Sequence, residues 1–264
     1  MKFSQARYRI LVTYHLSPIT CHSSPVTPHS SPLTTMIEHI ELTTGPNPKG
    51  TVIWMHGLGA DCWDFVSVVK ELGLPATLPL RFIFPQAPSR PISINNGQVM
   101  PGWYDITMAD LQDGPSRKAD EAGVRESQGF INDLIDREVT RGIAYDQIVI
   151  AGFSQGGAIA LQTGLRHPQS LAGVLALSTY LVLGDSLATE RTMANAAIPI
   201  LMAHGTQDPV IPLTLARASR SKLESQGYQI EWREYPMPHS VSMEEIGDIG
   251  AWLSKRFSSR ILLA

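Results

Sequence analysis

The sequence predicts an α/β fold with a mostly parallel central sheet and helices on both faces. Strand-length apolar runs alternate with helical patterns from Ile37 onward. The runs at 147–151, 172–178 and 198–203 are continuously apolar, as suits strands covered on both faces. Each of these runs is followed by loop signals rather than a tight hairpin, and sheets of this kind bind ligands beyond the carboxyl ends of their strands.

Taken in order, residues 37–43 and 51–55 read as strands, 62–72 as a helix and 81–84 as a short strand. Residues 85–115 form a long irregular segment rich in Pro, Gly and Asn. A loop of that length in a compact domain is usually functional or disordered, and Trp103 and Tyr104 near its end favour function. Residues 119–141 form a helix whose apolar face carries Phe130, Ile131, Leu134 and Ile135. The strand at 147–151 leads into a helix at 157–165. A helix at 213–226, an alternating strand at 229–235 and a helix at 243–257 complete the chain, and Ser242 and Glu245 have capping-box spacing at the start of the last helix.

A chain of 264 residues suffices for one such domain with a sizeable core. Residues 1–35 differ from the rest: Ser, Thr and Pro dominate 17–35, and no acidic residue precedes Glu38. They are expected to be a disordered extension outside the domain at 36–264, with Met36 as the working start. Lys2, Arg7 and Arg9 leave a targeting segment open as the alternative. Net charge −3 with scattered Lys and Arg gives no footprint for nucleic acid or an anionic membrane. Two cysteines argue against a disulfide framework, and no run approaches the length of a membrane span. The expectation is a soluble cytoplasmic protein whose partner is a small or flexible substrate.

Gly152-Phe153-Ser154-Gln155-Gly156 lies between a strand and a helix. A reversal this tight needs glycines on either side, and it leaves the Ser154 hydroxyl exposed above the sheet. The pentapeptide is common enough by chance that its context must decide. A serine hydroxyl is a weak nucleophile near pH 7, so it needs a base, and the base needs a carboxylate to fix its tautomer. Asp208 follows the strand ending at Ala203, and His239 follows the strand ending near Tyr235. The order Ser, Asp, His is that of α/β-hydrolases. His204 falls within a strand end, His56 is better placed to shape a loop, and His167 closes a helix before Pro168. Ser178 and Asp185 lack a glycine frame and read as structural. An oxyanion would be held by the backbone N–H of Gln155, at a helix start, and by that of Leu58 in the glycine loop after residues 51–55. That loop fits a dinucleotide fingerprint poorly, and no His, Cys and carboxylate set has metal spacing, so no cofactor or metal is expected.

Six blocks in this order resemble the phospholipase/carboxylesterase family of α/β-hydrolases, which includes acyl-protein thioesterases and bacterial carboxylesterases. They are His56 to Asp61, Phe84 to Pro88, Gly102 to Asp105, Gly152 to Gly157, His204 to Val210 and Pro238 to Ser240. The resemblance implies a minimal cap, a triad of Ser154, Asp208 and His239, the Leu58 and Gln155 amides as oxyanion hole, and dimers in some members. Residues 95–100 with Trp103 and Tyr104 are more similar to the bacterial members, and Pro238 stands where a glycine is expected. The function expected is a carboxylesterase acting on short to medium acyl esters, with Leu58, Gln86, Met100 and Trp103 as the acyl-binding wall. Alternatives are an acyl-protein thioesterase, a lysophospholipase, or a hydrolase fold kept only for ligand binding.

Overall fold

The computed structural model describes residues 36–111 and 119–261, so the expectations for residues 1–35 lie outside the described residues. Its elements are β1 (His39–Thr43), β2 (Thr51–Met55), β3 (Arg81–Pro85), β4 (Ser89–Ile92), β5 (Gln98–Pro101), α1 (Glu121–Thr140), β6 (Ile148–Phe153), α2 (Gln155–Arg166), β7 (Gly173–Leu177), α3 (Leu187–Glu190), β8 (Ile200–Gly205), α4 (Leu213–Ser225), β9 (Ile230–Tyr235) and α5 (Met243–Ile261). Seven strands form one sheet in the order β1-β3-β2-β6-β7-β8-β9. β1 runs antiparallel to β3, and all other neighbours in that sheet are parallel.

The continuous apolarity of β2 follows from its place inside the sheet. Successive side chains point to opposite faces, so Val52 and Trp54 pack with Phe82, Phe84, Trp252 and Leu253, whereas Ile53 and Met55 pack with Ile83, Ile131 and Ile159. α5 covers the first face together with a 3-10 helix at Val66–Leu72, and α1 and α2 pack together over the second. Glu138 on α1 is fully buried and ties that helix to the sheet. It accepts from Thr51 Oγ1 at 2.8 Å and pairs with Arg81.

Two expected features differ. The helix expected over residues 62–72 is a series of turns closed by the 3-10 helix, ending at Gly73 with φ 61°. Val66, Val68 and Val69 crowd the preceding turn of an α-helix, and burying Phe65, Val69 and Leu72 decides the local geometry. Within residues 85–115, β4 and β5 form a separate antiparallel hairpin; residues 112–115 lie outside the described residues. Asn96 and Gly97, at φ 56° and 75°, turn the chain between these strands. The brief helix α3 was not foreseen. The remaining expected elements are found within a few residues of their expected bounds.

The expected capping box at α5 forms only in half. Glu245 N–H donates to Ser242 Oγ at 3.2 Å, but among the described residues neither carboxylate oxygen of Glu245 has a hydrogen-bond partner. Burial pushes this carboxyl up to about 8, and the Asp248 charge adds to the shift. The Ser242 N–H opposes it without reaching hydrogen-bond geometry.

Candidate active site

Ser154 is held at φ 54° and ψ −120°, between the last residue of β6 and the first of α2. This is a conformation L-residues avoid, and strain of this kind persists only where its surroundings over-determine it. A Cβ at Gly152 would lie 2.2 Å from the Gly156 carbonyl, and one at Gly156 would lie 2.6 Å from the carbonyl oxygens of Met55 and His56. Both glycines therefore allow backbone to pass where a side chain cannot fit. Ser154 N–H donates to Leu177 O at 2.8 Å, which locks the turn onto the end of β7.

Asp208 and His239 come to the serine from the two following strands. The loops after β8 and β9 are joined by Thr206 N–H to Tyr235 O at 2.8 Å and Gln207 N–H to Met237 O at 3.1 Å. His239 Nδ1–H donates to Asp208 Oδ2 at 2.6 Å, and Ser154 Oγ–H donates to His239 Nε2 at 2.9 Å. Asp208 Oδ1 accepts from the N–H groups of Val210 and Ile211 at 2.8 and 2.9 Å. Burial alone would raise the Asp208 carboxyl, but His239 and those two N–H groups outweigh it and hold the carboxyl below its ordinary range. The carboxylate side chain is inaccessible to solvent, so its charge is directed at the imidazole. Phe153 packs against the His239 ring with centroids 4.7 Å apart.

The loop that carries Leu58 and the start of α2 at Gln155 both lie beside this serine. Gly57 lies against it, since a Cβ there would meet Ser154 Cβ at 3.4 Å. Gln155 opens α2, where first-turn N–H groups have no intrahelical acceptor and the helix dipole favours negative charge. Its side chain is also fixed: Oε1 accepts from Trp103 N–H and Nε2 donates to Tyr104 O, both at 2.7 Å.

The four residues expected to wall an acyl chain divide. Leu58 and Met100 are partly exposed; Leu58 lies beside Gly102, just after the hairpin, and Met100 on β5 lies beside Gly59. Gln86 instead accepts from Cys62 N–H at 3.0 Å, so it braces the loop after β2. Trp103 is fully buried, and its Nε1–H donates to His56 O at 2.9 Å. An indole committed to the core offers no surface to a ligand here, which corrects the expectation for Trp103.

His204 is buried behind Asp208, where Nε2–H donates to Ile211 O at 2.9 Å and burial lowers its basicity. His167 caps α2, and Asp185 pairs with Lys222 on the surface. Sequence reasoning missed Phe153 and Thr179, whose hydroxyl donates to Ser154 O at 2.6 Å. Phe153 occupies the free position before the serine. Thr179 lies just beyond the end of β7, and only the β6–β7 pairing reveals its closeness to the serine. Among the described residues, no group of three or more His, Cys, Asp or Glu is placed to hold a metal ion, and no helix is long and apolar enough to cross a membrane.

A model of the family described as phospholipase/carboxylesterase matches residues 38–257. The chain belongs to this family. It is thus a hydrolase of the α/β class, as the six sequence blocks imply. It is 43% identical over 211 residues to acyl-protein thioesterase 1 of Neurospora crassa, covering 78% of this chain and 86% of the relative. It is 34% identical over 213 residues to an Oryza sativa subsp. japonica protein named "Probable carboxylesterase", covering 80% and 79%. Among solved structures, Arabidopsis thaliana SOBER1 superposes with TM-score 0.73 at 28% identity, covering 78% of this chain and 98% of that one.

Proposed function

We propose that this family member is a serine hydrolase that cleaves carboxylic acyl esters through an acyl-enzyme on Ser154. The observation that carries the reading is the unbroken chain Ser154 Oγ–H to His239 Nε2 and His239 Nδ1–H to Asp208 Oδ2, at 2.9 and 2.6 Å. His239 takes the hydroxyl proton as Ser154 Oγ bonds to the acyl carbon. The carbonyl electron pair moves onto oxygen, facing the Leu58 and Gln155 amides. Collapse of that intermediate expels the alcohol, which receives the proton from His239. A water deprotonated by His239 then attacks the acyl-serine and releases the acid. Asp208 stabilises the imidazolium in both halves and stays ionised.

The leaving group admits a second reading, favoured by a specific observation. The Neurospora crassa relative is named an acyl-protein thioesterase, so the acyl donor is a thioester as well as an ester in this reading. The same atoms serve both, because a thiolate leaves more readily than an alkoxide and makes no further demand on the triad. Initial rates on p-nitrophenyl esters from acetate to palmitate and on a palmitoyl-cysteine peptide separate the readings. Preference for short or medium esters with a slow thioester supports the carboxylesterase. A kcat/KM on the peptide well above that on every ester favours the thioesterase. Equal inertness towards all of them contradicts the proposal.

A further inference from the structure

In a planar trans peptide the C=O of one residue and the N–H of the next point in opposite directions, so a group that fixes the carbonyl also aims the amide. Both amides assigned to the oxyanion belong to peptides whose carbonyl is held from behind by a buried side chain. The Leu58 N–H shares its peptide with Gly57 O, which accepts from His56 Nδ1 at 2.7 Å. The Gln155 N–H shares its peptide with Ser154 O, which accepts from Thr179 Oγ1 at 2.6 Å. The main chain also reaches these two carbonyls, but only through longer bonds of 3.2 Å from Ala60 N–H and Ala158 N–H. The side chains make the tighter contact in each case.

The protonation of His56 is set by its surroundings. Ala87 N–H donates to His56 Nε2 at 3.1 Å, so that nitrogen carries no proton and Nδ1 must be the donor. Burial lowers the basicity of this imidazole, which keeps it in the neutral form that can satisfy both contacts at once. Trp103 fixes the His56 carbonyl, and Thr179 is fixed beside Gly157, whose Cβ would meet Thr179 Cβ at 2.8 Å.

We infer that His56 and Thr179 are paired positioning residues that aim and polarise the two oxyanion donors, His56 acting on Leu58 N–H and Thr179 on Gln155 N–H. A hydrogen bond accepted by the carbonyl draws charge through the amide and strengthens its N–H as a donor. The gain is greatest when full charge develops on the substrate oxygen, so these side chains act on the transition state more than on bound substrate. Trp103 gains a role through this arrangement: it supports the site through His56 rather than touching the acyl chain. The inference rests on the proposed triad and oxyanion assignment.

The test uses two pairs of variants of the full chain. Thr179→Val removes the hydroxyl at nearly constant volume, and Thr179→Ser restores it. His56→Gln places its amide near Nε2, where it can still serve Ala87 but not Gly57. His56→Asn places an amide nitrogen near Nδ1 and keeps the donor to Gly57. Thr179→Val and His56→Gln are expected to lower kcat on p-nitrophenyl butyrate by about 10- to 100-fold with KM nearly constant, somewhat less than outright loss of an oxyanion donor. The affinity for a trifluoromethyl ketone, which forms a tetrahedral oxyanion on the serine, should fall by the same factor. Thr179→Ser and His56→Asn should recover most of both.

Unchanged kcat overturns the inference. So does lost kcat with undiminished ketone binding, or conservative variants as impaired as the disruptive ones. If His56→Gln does not fold, the Thr179 pair decides alone. Wild-type activity that survives Ser154→Ala would instead contradict the triad itself, which keeps the two failures distinct.

Discussion

At the scale of single residues, the site combines one strained group with several over-determined ones. Asp208 accepts from His239 on one oxygen and from two backbone N–H groups on the other. Asp208→Asn should leave this geometry largely intact but present an amide N–H towards Nδ1, forcing the wrong tautomer. A kcat loss of about 10⁴-fold with KM little changed is expected, and steady-state kinetics near pH 7 check it. Glu245 gives a prediction of opposite sense for stability. Its folded pKa of about 8 exceeds the ordinary value of 4.5, so the unfolded chain releases this proton first as pH rises. Stability from this group is therefore present below about pH 4.5 and lost progressively up to about 8. Glu245→Gln, neutral in both states, should melt higher than wild type at pH 8, by about 5 °C or more for a loss of a few kcal/mol. The gap should close near pH 5. Equal melting offsets at both pH values, read by calorimetry, contradict this.

At the scale of elements, residues that act through local chain geometry were legible and those that act through tertiary neighbours were not. The glycines of the elbow identify themselves because only glycine fits there. Gly152→Ala should abolish soluble or active protein, since the added carbon meets Gly156 backbone rather than a movable side chain. Circular dichroism and hydrolysis of p-nitrophenyl butyrate check it. The hairpin of β4 and β5 was obscured by Pro91 and Pro101, residues that argue against a central strand but are tolerated in a two-stranded edge. Asn96-Gly97 was the signal that could have revealed it, being a dipeptide suited to positive φ at successive positions. Trp103 looked like a binding residue because a tryptophan in an irregular loop suggests function. Its burial follows from contacts with His56 and Gln155 that no local pattern encodes. Glu138 is similar: its ion pair with Arg81 crosses from α1 to β3, and Glu138→Ala should cost about 3–5 kcal/mol by stranding a largely buried guanidinium. Urea denaturation measures that loss.

At the scale of the whole molecule, the sheet order explains how three residues spread over 86 positions meet at one point. β6, β7, β8 and β9 are consecutive parallel neighbours, so the loops after β6, β8 and β9 open on one edge. The sequence order of Ser154, Asp208 and His239 makes this constellation legible in the sequence, because each follows its own apolar strand. Substrate choice was not readable, since it depends on the packing of side chains such as Leu58 and Met100 around the serine. The family match begins at residue 38, so removal of residues 1–35 should leave kcat/KM on p-nitrophenyl butyrate unchanged. The central claim is that Ser154 is the nucleophile activated by His239. It is tested most directly by incubating wild type, Ser154→Ala and His239→Ala with a fluorophosphonate and mapping the adduct by peptide mass spectrometry. A single phosphonylated serine at position 154 in wild type, absent in Ser154→Ala and formed far more slowly in His239→Ala, is the predicted result. An adduct on another residue, or labelling of Ser154 at an undiminished rate without His239, would contradict it.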